Sequence, residues 1–317
     1  MRIKIINLSI ICFTIFAITF PYNAKAVGEC SNMMDMGTHQ KNHPAHAIGN
    51  GTSLDVSGYT LQKIQVPTKQ SDKTLSFKIN DYNKRTLENY TLDMGKILHL
   101  LVYSNDFMVY KHYHPTLNKD GVFSQILDIP FNKTYYFVAD VSTPTSDKNN
   151  PTVQLVFGDS FIYGAKSKPV ALSKPKCNIT SNGYTISLSS TKLPLDHSSL
   201  MLTITNKKGE PVRFGRFLGV DAHLVVFRES DRRYSHFHPM NMDGSMPKMW
   251  GKTISLKDKS LSKFSGEQAN DILPANNNST LGMLHFMTEP PGKGRYIAFL
   301  QFVDNNKLIT TNFTFEA

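Results

Sequence analysis

Apolar and polar positions alternate along much of the chain. Leu75, Phe77 and Ile79 are separated by polar residues, and the final segment, Ile309–Phe315, follows the same rule. A period of two places successive side chains on opposite faces of a β-strand. These runs are rich in Thr, Val, Ile, Tyr and Phe, with Gly, Asn, Asp and Pro between them. The pattern predicts short strands joined by turns, and no stretch carries a capped helical stripe.

The chain also repeats itself, because five blocks recur in the same order. The paired blocks are Gly58–Leu61 and Gly183–Ile186, Leu98–Tyr103 and Ala222–Phe227, Tyr110–Pro115 and Tyr234–Pro239, Asp120–Gly121 and Asp243–Gly244, and Tyr135–Ala139 and Tyr296–Leu300. We interpret the repeat as a tandem duplication in which each copy is one domain.

The repeat and the strand pattern together predict an all-β protein. We expect two tandem antiparallel β-sandwich domains, immunoglobulin-like or cupredoxin-like, over residues 56–165 and 176–317. A Lys-, Ser- and Pro-containing stretch at 166–175 is the predicted linker. The second copy carries extra residues at about 240–279, which we expect to form an inserted loop.

The first residues have the order of a secretory signal peptide. Arg2 and Lys4 precede an apolar run, Ile5–Phe20, and small residues flank Lys25. This order predicts a signal peptide over 1–26, cleaved after Ala26. The mature protein is then expected to be periplasmic or secreted and not to span the membrane.

Composition fits a folded, exported protein. Hydrophobic residues make up 40% of the chain and charged residues 19%, which excludes a disordered chain. Loss of three basic residues with the signal peptide lowers the net charge from +10 to +7. An exported basic protein rarely meets nucleic acid, so we expect no nucleic-acid partner and a preference for anionic envelope surfaces.

Histidines occupy matching positions in the two copies. The set His99, His112 and His114 has the same spacing as the set His223, His236 and His238. A turn centred near Ser104–Asp106 would place His99 opposite His112, and the second copy would place His223 opposite His236. Opposed residues share a face with Cβ atoms about 4.5–5.5 Å apart. Each hairpin should therefore present three imidazoles on one side.

Three imidazoles at such separations are a plausible ligand set for one transition-metal ion. The alternative is structural: one ring bonds a backbone carbonyl and the others decorate the sheet. Duplication copies structural residues as faithfully as ligands, so both interpretations stay open.

A second candidate site precedes the first repeat, in residues 27–55, which we expect to be a flexible tail. Its soft or borderline ligands are Cys30, Met33, Met34, Met36, His39, His43 and His46. Thiol, thioether and imidazole groups suit copper, with zinc as second choice. Alternatively, Cys30 pairs with Cys177, the other cysteine of the mature chain, because an oxidising compartment favours a disulfide. Both can hold.

Other site types are excluded. A blue-copper site needs a Cys ligand in a loop with His and Met, and neither mature cysteine lies in one. Phe157–Ser160 looks like the nucleophile block of the Gly-Asp-Ser hydrolases, but no histidine has an acid three residues before it. We expect this block to be a strand.

The motif order resembles that of a group of uncharacterised exported bacterial proteins with YtkA-like or FixH-like β-sandwich modules. It is carried by His99, by His112-x-His114-Pro115, by Asp120-Gly121, and by the second copy from His223 through Pro239 to Tyr296. The resemblance covers residues 56–317 and implies β-sandwich modules involved in handling heavy metals, especially copper.

Three functional hypotheses follow. The leading one is an exported, non-enzymatic protein that binds or handles copper or a similar metal, with the tail as a capture arm. The alternative is an envelope protein-interaction module with structural histidines and no metal. A weaker option is a metal-dependent oxidase or hydrolase, which lacks an evident acid or base beside the histidines.

Overall fold

The computed structural model describes Cys30, residues 48–195 and residues 198–317. The predicted signal peptide lies outside this part of the chain. So do six of the predicted soft ligands: Met33, Met34, Met36, His39, His43 and His46.

The first module is built from two antiparallel sheets. Its strands are β1 (Asp55–Val56), β2 (Tyr59–Gln65), β3 (Thr74–Asn80), β4 (Asn89–Asp93), β5 (Leu98–Ser104), β6 (Tyr110–Tyr113), β7 (Thr116–Leu117), β8 (Val122–Ile126), β9 (Lys133–Pro144) and β10 (Thr152–Tyr163). One sheet has the order β1-β2-β3-β8-β7, and the other contains β4, β9, β5 and β6 with β10 paired to β9.

The second module repeats this plan. Its strands are β11 (Asn178–Ser181), β12 (Tyr184–Leu188), β13 (Ser198–Thr205), β14 (Arg216–Phe217), β15 (Ala222–Arg228), β16 (Tyr234–Phe237), β17 (Trp250–Ser255), β18 (Ile272–Leu273), β19 (Met283–Thr288), β20 (Arg295–Asp304) and β21 (Lys307–Glu316), with one 3-10 turn at Leu261–Lys263. Sheets β11-β12-β13-β19 and β16-β15-β20-β21 face each other, and β14 pairs with β18. Among the described residues, no helix has the length and apolarity to cross a membrane. The predicted all-β class with antiparallel sandwiches is confirmed.

The two sandwiches pack sheet against sheet, which gives four layers. On β5, Leu100 and Val102 belong to the core of the first module, whereas Leu101 and Tyr103 point into an apolar layer between the modules. On β15, Val225 lies in the same layer. Both faces of β5 and β15 are therefore buried.

Aromatic pairs and one arginine hold the central layer together. The rings of Tyr103 and Phe227, equivalent positions of the repeat, lie 4.0 Å apart between centroids. Arg232 of the second module donates to the backbone oxygen of Asn105 (3.0 Å) and lies 4.1 Å from the ring centroid of Phe107. Cation–π contact of this kind adds to the apolar burial.

The region predicted as an inserted loop includes a strand that crosses between the modules. Strand β17 pairs with β4 and so becomes an edge strand of the first module's sheet. Ile254, Leu256 and Leu261 are buried in that module's core. We call residues 249–271 the cross-module arm. The departure from a loop has a physical reason: Ile254 and its neighbours carry apolar surface that only the first module can bury.

Described residues of the segments predicted as tail and linker, Ile48 and Leu172, are held against the sandwiches. Residue Ile48 bridges to Leu155 on β10, and its N–H donates to the carbonyl of Gln154 (2.7 Å). In the predicted linker, Leu172 is buried in the central layer, and its N–H donates to Glu229 (2.7 Å). These contacts fix both segments against the sandwiches.

Cys30 and Cys177 form a disulfide, with their Cα atoms 5.6 Å apart. The bond joins the N-terminal segment to the chain just before β11. The sequence left open whether Cys30 binds metal or pairs with Cys177, and the disulfide is observed.

Candidate metal centre

The two histidine hairpins have a register shifted from the predicted one. On β5 and β6, Leu101 pairs with His112, which places His99 opposite His114. On β15 and β16, Val225 pairs with His236, which places His223 opposite His238. The predicted opposition of His99 with His112, and of His223 with His236, is wrong by two residues. The turn extends past Ser104–Asp106 because Phe107 is held at positive φ and donates its N–H to the carbonyl of Ser104.

A shift of two residues keeps every side chain on the same face. Each hairpin therefore does present three imidazoles on one side, as predicted. We call His99, His112 and His114 the first triad, and His223, His236 and His238 the second triad. In each triad one nitrogen from every ring lies within 4.8 Å of the other two.

The two triads also meet, which the sequence did not predict. Both point into the layer between the modules. Centroid distances within a triad run from 4.5 Å (His236–His238) to 5.2 Å (His99–His112). Across the triads, His99 lies 5.7 Å from His236, and His112 lies 5.8 Å from His223. The six rings form one continuous histidine cluster.

Hydrogen bonds orient each ring of the first triad. His99 donates from Nε2 to the backbone oxygen of Asp93 (3.2 Å). His112 donates from Nδ1 to Oε1 of Gln301 (2.9 Å). His114 donates from Nδ1 to the carboxylate of Glu267 (3.0 Å). Bonds of this kind fix the tautomer of metal-bound histidines and aim the remaining nitrogen at the ion.

The remaining nitrogens of His99 and His112 face each other. Nδ1 of His99 lies 3.0 Å from Nε2 of His112. In the neutral rings the proton sits on the other nitrogen, which is engaged with Asp93 or Gln301. Two lone pairs at this distance repel, whereas both can bind one ion at the usual 2.0–2.1 Å. With the protons on the nitrogens that face Asp93 and Gln301, a cation between His99 Nδ1 and His112 Nε2 would satisfy both lone pairs.

Buried ring nitrogens without partners point to the same conclusion. Within the described chain, Nε2 of His114, both nitrogens of His223, and Nε2 of His236 and of His238 are buried with no hydrogen-bond partner. A buried polar atom left unpaired costs about 1–3 kcal/mol. Five such atoms lie in one cluster, and metal coordination could satisfy one nitrogen of each of these four rings.

Burial keeps the rings neutral and ready to coordinate. Desolvation lowers the pKa of His112 to about 4 and that of His238 to about 3. The pKa of His99 also falls well below its usual value through burial and the neighbouring His114 and His112. Neutral imidazole is the form that binds metals, so no proton must leave before coordination.

Two buried carboxyl groups lie beside the cluster. Asp140 pairs with His99 in the sheet and accepts hydrogen bonds from Gln154 and from Tyr234 (both 2.8 Å). Burial raises the pKa of Asp140 to about 6 and holds that of Asp93 well above its usual value. Oδ1 of Asp93 has no partner among the described residues. Bound cations would stabilise the ionised forms of both groups.

The cross-module arm supplies a third acidic group. Glu267 accepts both the backbone N–H (3.1 Å) and the ring Nδ1–H of His114. Nearby, Lys96 is buried and pairs with Asp271 of the arm (2.7 Å). These contacts lock the arm over the first triad.

The disulfide removes Cys30 from the predicted ligand set, because a metal binds a thiolate and not a bridged sulfur. Three methionines of the second module, Met242, Met246 and Met283, are exposed to solvent. His285 hydrogen bonds Ser199 (2.7 Å), away from the core face of its strand.

The Phe157–Ser160 block lies in β10, as predicted from the repeat. Asp159 forms an ion pair with Lys63. A Cβ at position 158 would come within 1.9 Å of the carbonyl oxygen of Gly51, so the glycine there serves close packing of the N-terminal segment.

Sequence reasoning missed the residues that orient the rings. Asp140 and Gln301 were detectable, since each is a polar residue directly after equivalent apolar blocks of the repeat, Tyr135–Ala139 and Tyr296–Leu300. Glu267 gave no such signal, because it has no counterpart in the first copy.

One family model matches part of the chain. A domain of unknown function, DUF8832, matches residues 179–317. No curated protein matches the chain.

Solved structures show only remote likeness. A DUF4785 family protein from Legionella pneumophila is 12% identical, with 82% of this chain and 55% of that chain covered and a TM-score of 0.26. A tandem repeat from the extending region of a large adhesion protein is 9% identical, with 81% and 48% covered and a TM-score of 0.22. The FN1–FN3 domains of chicken CNTN1 are 9% identical, with 84% and 66% covered and a TM-score of 0.17. This chain spans about half the length of the first two.

Proposed function

We propose that this protein binds transition-metal ions at the histidine cluster and acts as an exported metal-handling protein, with copper as the preferred metal and zinc as second choice. The observation that carries the proposal is the convergence of His99 Nδ1 and His112 Nε2 at 3.0 Å, both oriented as acceptors. Copper(II) heads the affinity order of divalent metals at nitrogen sites.

Two further observations support the proposal. The ligand nitrogens that lack partners are buried, so they are unavailable to water. The second triad reproduces the ligand spacing of the first. A role in packing alone would not require unpaired nitrogens in both.

Export is part of the same proposal. The Cys30–Cys177 disulfide is typical of oxidising compartments such as the periplasm or the extracellular space. It supports the signal peptide predicted over 1–26. We also propose that the Met and His residues at 33–46 capture metal for the cluster, and that the protein itself carries out no catalysis.

The test is a metal titration of four full-length proteins purified from the periplasm. They are the wild type, a variant with the Met and His residues of 33–46 replaced by Ser, the double variant His112→Asn/His236→Asn, and the control His285→Asn. Bound Cu(II) and Zn(II) are measured by competition with a chelator of known affinity and by elemental analysis.

We expect stoichiometric metal in the wild type, the control and the segment variant, and a loss of at least 100-fold in affinity in the double variant, whose fold is checked by circular dichroism. Loss of bound metal in the segment variant would show that the segment binds the metal and that the histidine cluster is structural. No binding tighter than micromolar in any protein would reject metal handling and favour the envelope-interaction module.

A further inference from the structure

The spacing of the rings does not divide the cluster into two separate sites. The longest centroid distance within a triad is 5.2 Å, and three cross-triad distances are 5.7, 5.8 and 6.0 Å. His112 takes part in two of those cross-triad approaches, to His223 and His236. Ions held by the two triads would therefore be neighbours in one buried volume.

The hydrogen bonds that orient the rings cross between the modules. His112 belongs to the first triad, but its Nδ1–H donates to Gln301 on β20. Gln301 is the direct sheet partner of His223 in the second triad. Gln301 thus holds a ring of the first triad through its side chain and pairs with a ligand of the second triad through its backbone, so the two triads share one supporting residue.

The equivalent position in the first module makes the reciprocal contact. Asp140 is the sheet partner of His99 and accepts the hydroxyl of Tyr234 across the interface. Tyr234 lies on β16, two residues before His236. Each module therefore contributes a hydrogen-bonding residue beside the other module's triad.

Three histidines leave an open coordination position on each ion. Two neighbouring dications also repel each other strongly in a buried volume. A single small anion shared between the two open positions relieves both problems. Asp93 and Asp140 are buried at the margin of the cluster, and bound cations would stabilise their ionised forms.

We propose that the two triads form one dinuclear centre, in which two metal ions bind as a coupled pair and share a small bridging anion such as hydroxide. The proposal rests on the proposed function, since it requires that the cluster binds metal. It adds that the stoichiometry is two and that the ions interact. Shared-ligand metal pairs are the arrangement found in two-metal hydrolytic sites, where the ions lie about 3.5–4 Å apart.

The test uses Cu(II) as the probe with the full-length protein whose Met and His residues at 33–46 are replaced by Ser, so that only the cluster binds. Electron paramagnetic resonance is recorded at one and two equivalents. Single variants His112→Asn and His236→Asn each leave one triad intact and report the isolated spectra. Azide is then titrated into each copper-loaded protein.

We expect two copper equivalents whose integrated signal is well below two spins, with a half-field transition and one azide bound per copper pair. Each single variant should hold one equivalent at close to one full spin and lose the bridging azide band. A two-equivalent spectrum that is the sum of the two variant spectra would overturn the pairing and leave metal binding intact. One equivalent that either variant abolishes would also overturn it, in favour of a single shared ion. Absence of bound copper would reject the underlying function as well.

Discussion

Glu267 shows how a single side chain can complete a site from far along the chain. Its carboxylate receives two hydrogen bonds from His114, one from the backbone and one from the ring. The ring bond fixes Nδ1 as the protonated nitrogen and leaves Nε2 for an ion. The sequence placed the three histidines on one face correctly, but it did not identify the groups that hold them. Asp140 and Gln301 occupy matching positions of the repeat and could have been identified from the sequence, whereas Glu267 could not.

We predict that Glu267→Gln lowers the metal affinity of the first triad by about 10- to 100-fold, because an amide is a weaker acceptor and no longer anionic. Isothermal titration with Cu(II) measures the first triad alone when it is made in a His236→Asn background whose Met and His residues at 33–46 are replaced by Ser. Glu210→Gln, a turn residue that bonds Asn206, is the matched control. Equal affinities in the two variants would show that Glu267 does not position His114.

The buried imidazoles should make the metal-free protein sensitive to acid. Burial lowers the pKa of His112 to about 4 and of His238 to about 3. Between an unfolded pKa near 6.5 and these values, the unfolded chain binds more protons than the folded one, so stability falls as pH falls. Each ring contributes up to about 1.4 kcal/mol per pH unit. Asp93 and Asp140 have the opposite effect on the pH dependence of stability, because burial raises their pKa. The buried histidines of the cluster outnumber these two carboxyl groups.

Urea unfolding of the metal-free protein at pH 7.5 and pH 5.5 measures this dependence. We expect a lower free energy of unfolding at pH 5.5. The His112→Asn variant should show a smaller difference between the two pH values. An unchanged or higher stability at pH 5.5 would contradict neutral, buried rings.

At the scale of single elements, β17 is a strand in a region that the sequence analysis predicted to be a loop. Its pattern was obscured because the strand is short and completes the sheet of the other module, so neither local periodicity nor the repeat marks it. The predicted register of the histidine hairpins was wrong for a related reason. The turn geometry at Phe107 is set by backbone conformation and not by hydrophobic pattern. In contrast, the alternation in β3 and β21 was enough to place those strands.

The ion pair between Lys96 and Asp271 anchors the arm after β17. We predict that Asp271→Ala costs about 3–5 kcal/mol, because it leaves a buried ammonium without its counter-ion. The double variant Lys96→Met/Asp271→Leu should recover most of that loss, since no isolated charge remains. Chemical denaturation of the three proteins measures the difference. A double variant as unstable as Asp271→Ala would indicate that the pair is needed for more than charge compensation.

At the scale of the whole molecule, the two copies pack against each other and are not separate domains joined by a linker. The duplication was predicted correctly, but the face-to-face packing was not. A signal was present: Leu98 to Tyr103 is apolar at nearly every position, and strands covered on both faces read as continuous hydrophobic runs. The same run in β15 contains Leu224, Val225 and Val226. Within these apolar runs, the histidine positions lie in the layer where the two modules pack together.

We expect the protein to unfold in one cooperative transition, because the central layer and the cross-module arm make each module incomplete without the other. Scanning calorimetry measures this directly. Phe227→Ala should lower the stability of that single transition by about 3–5 kcal/mol, since the ring is fully buried between the modules. Tyr82→Ala, at an exposed site, is the control. Two resolved transitions would contradict the prediction.

The disulfide changes the topology of the segment that carries the soft ligands. Cys30 is bonded to Cys177, and Ile48 is held on the edge of β10. Residues 31–47 therefore lie between two points of attachment, the disulfide at Cys30 and the bridge at Ile48. Double attachment raises the effective concentration of their ligand groups near the protein surface. Reduction of the disulfide would remove one of these two attachments, and the reach of those ligand groups would then depend on the redox state of the surroundings.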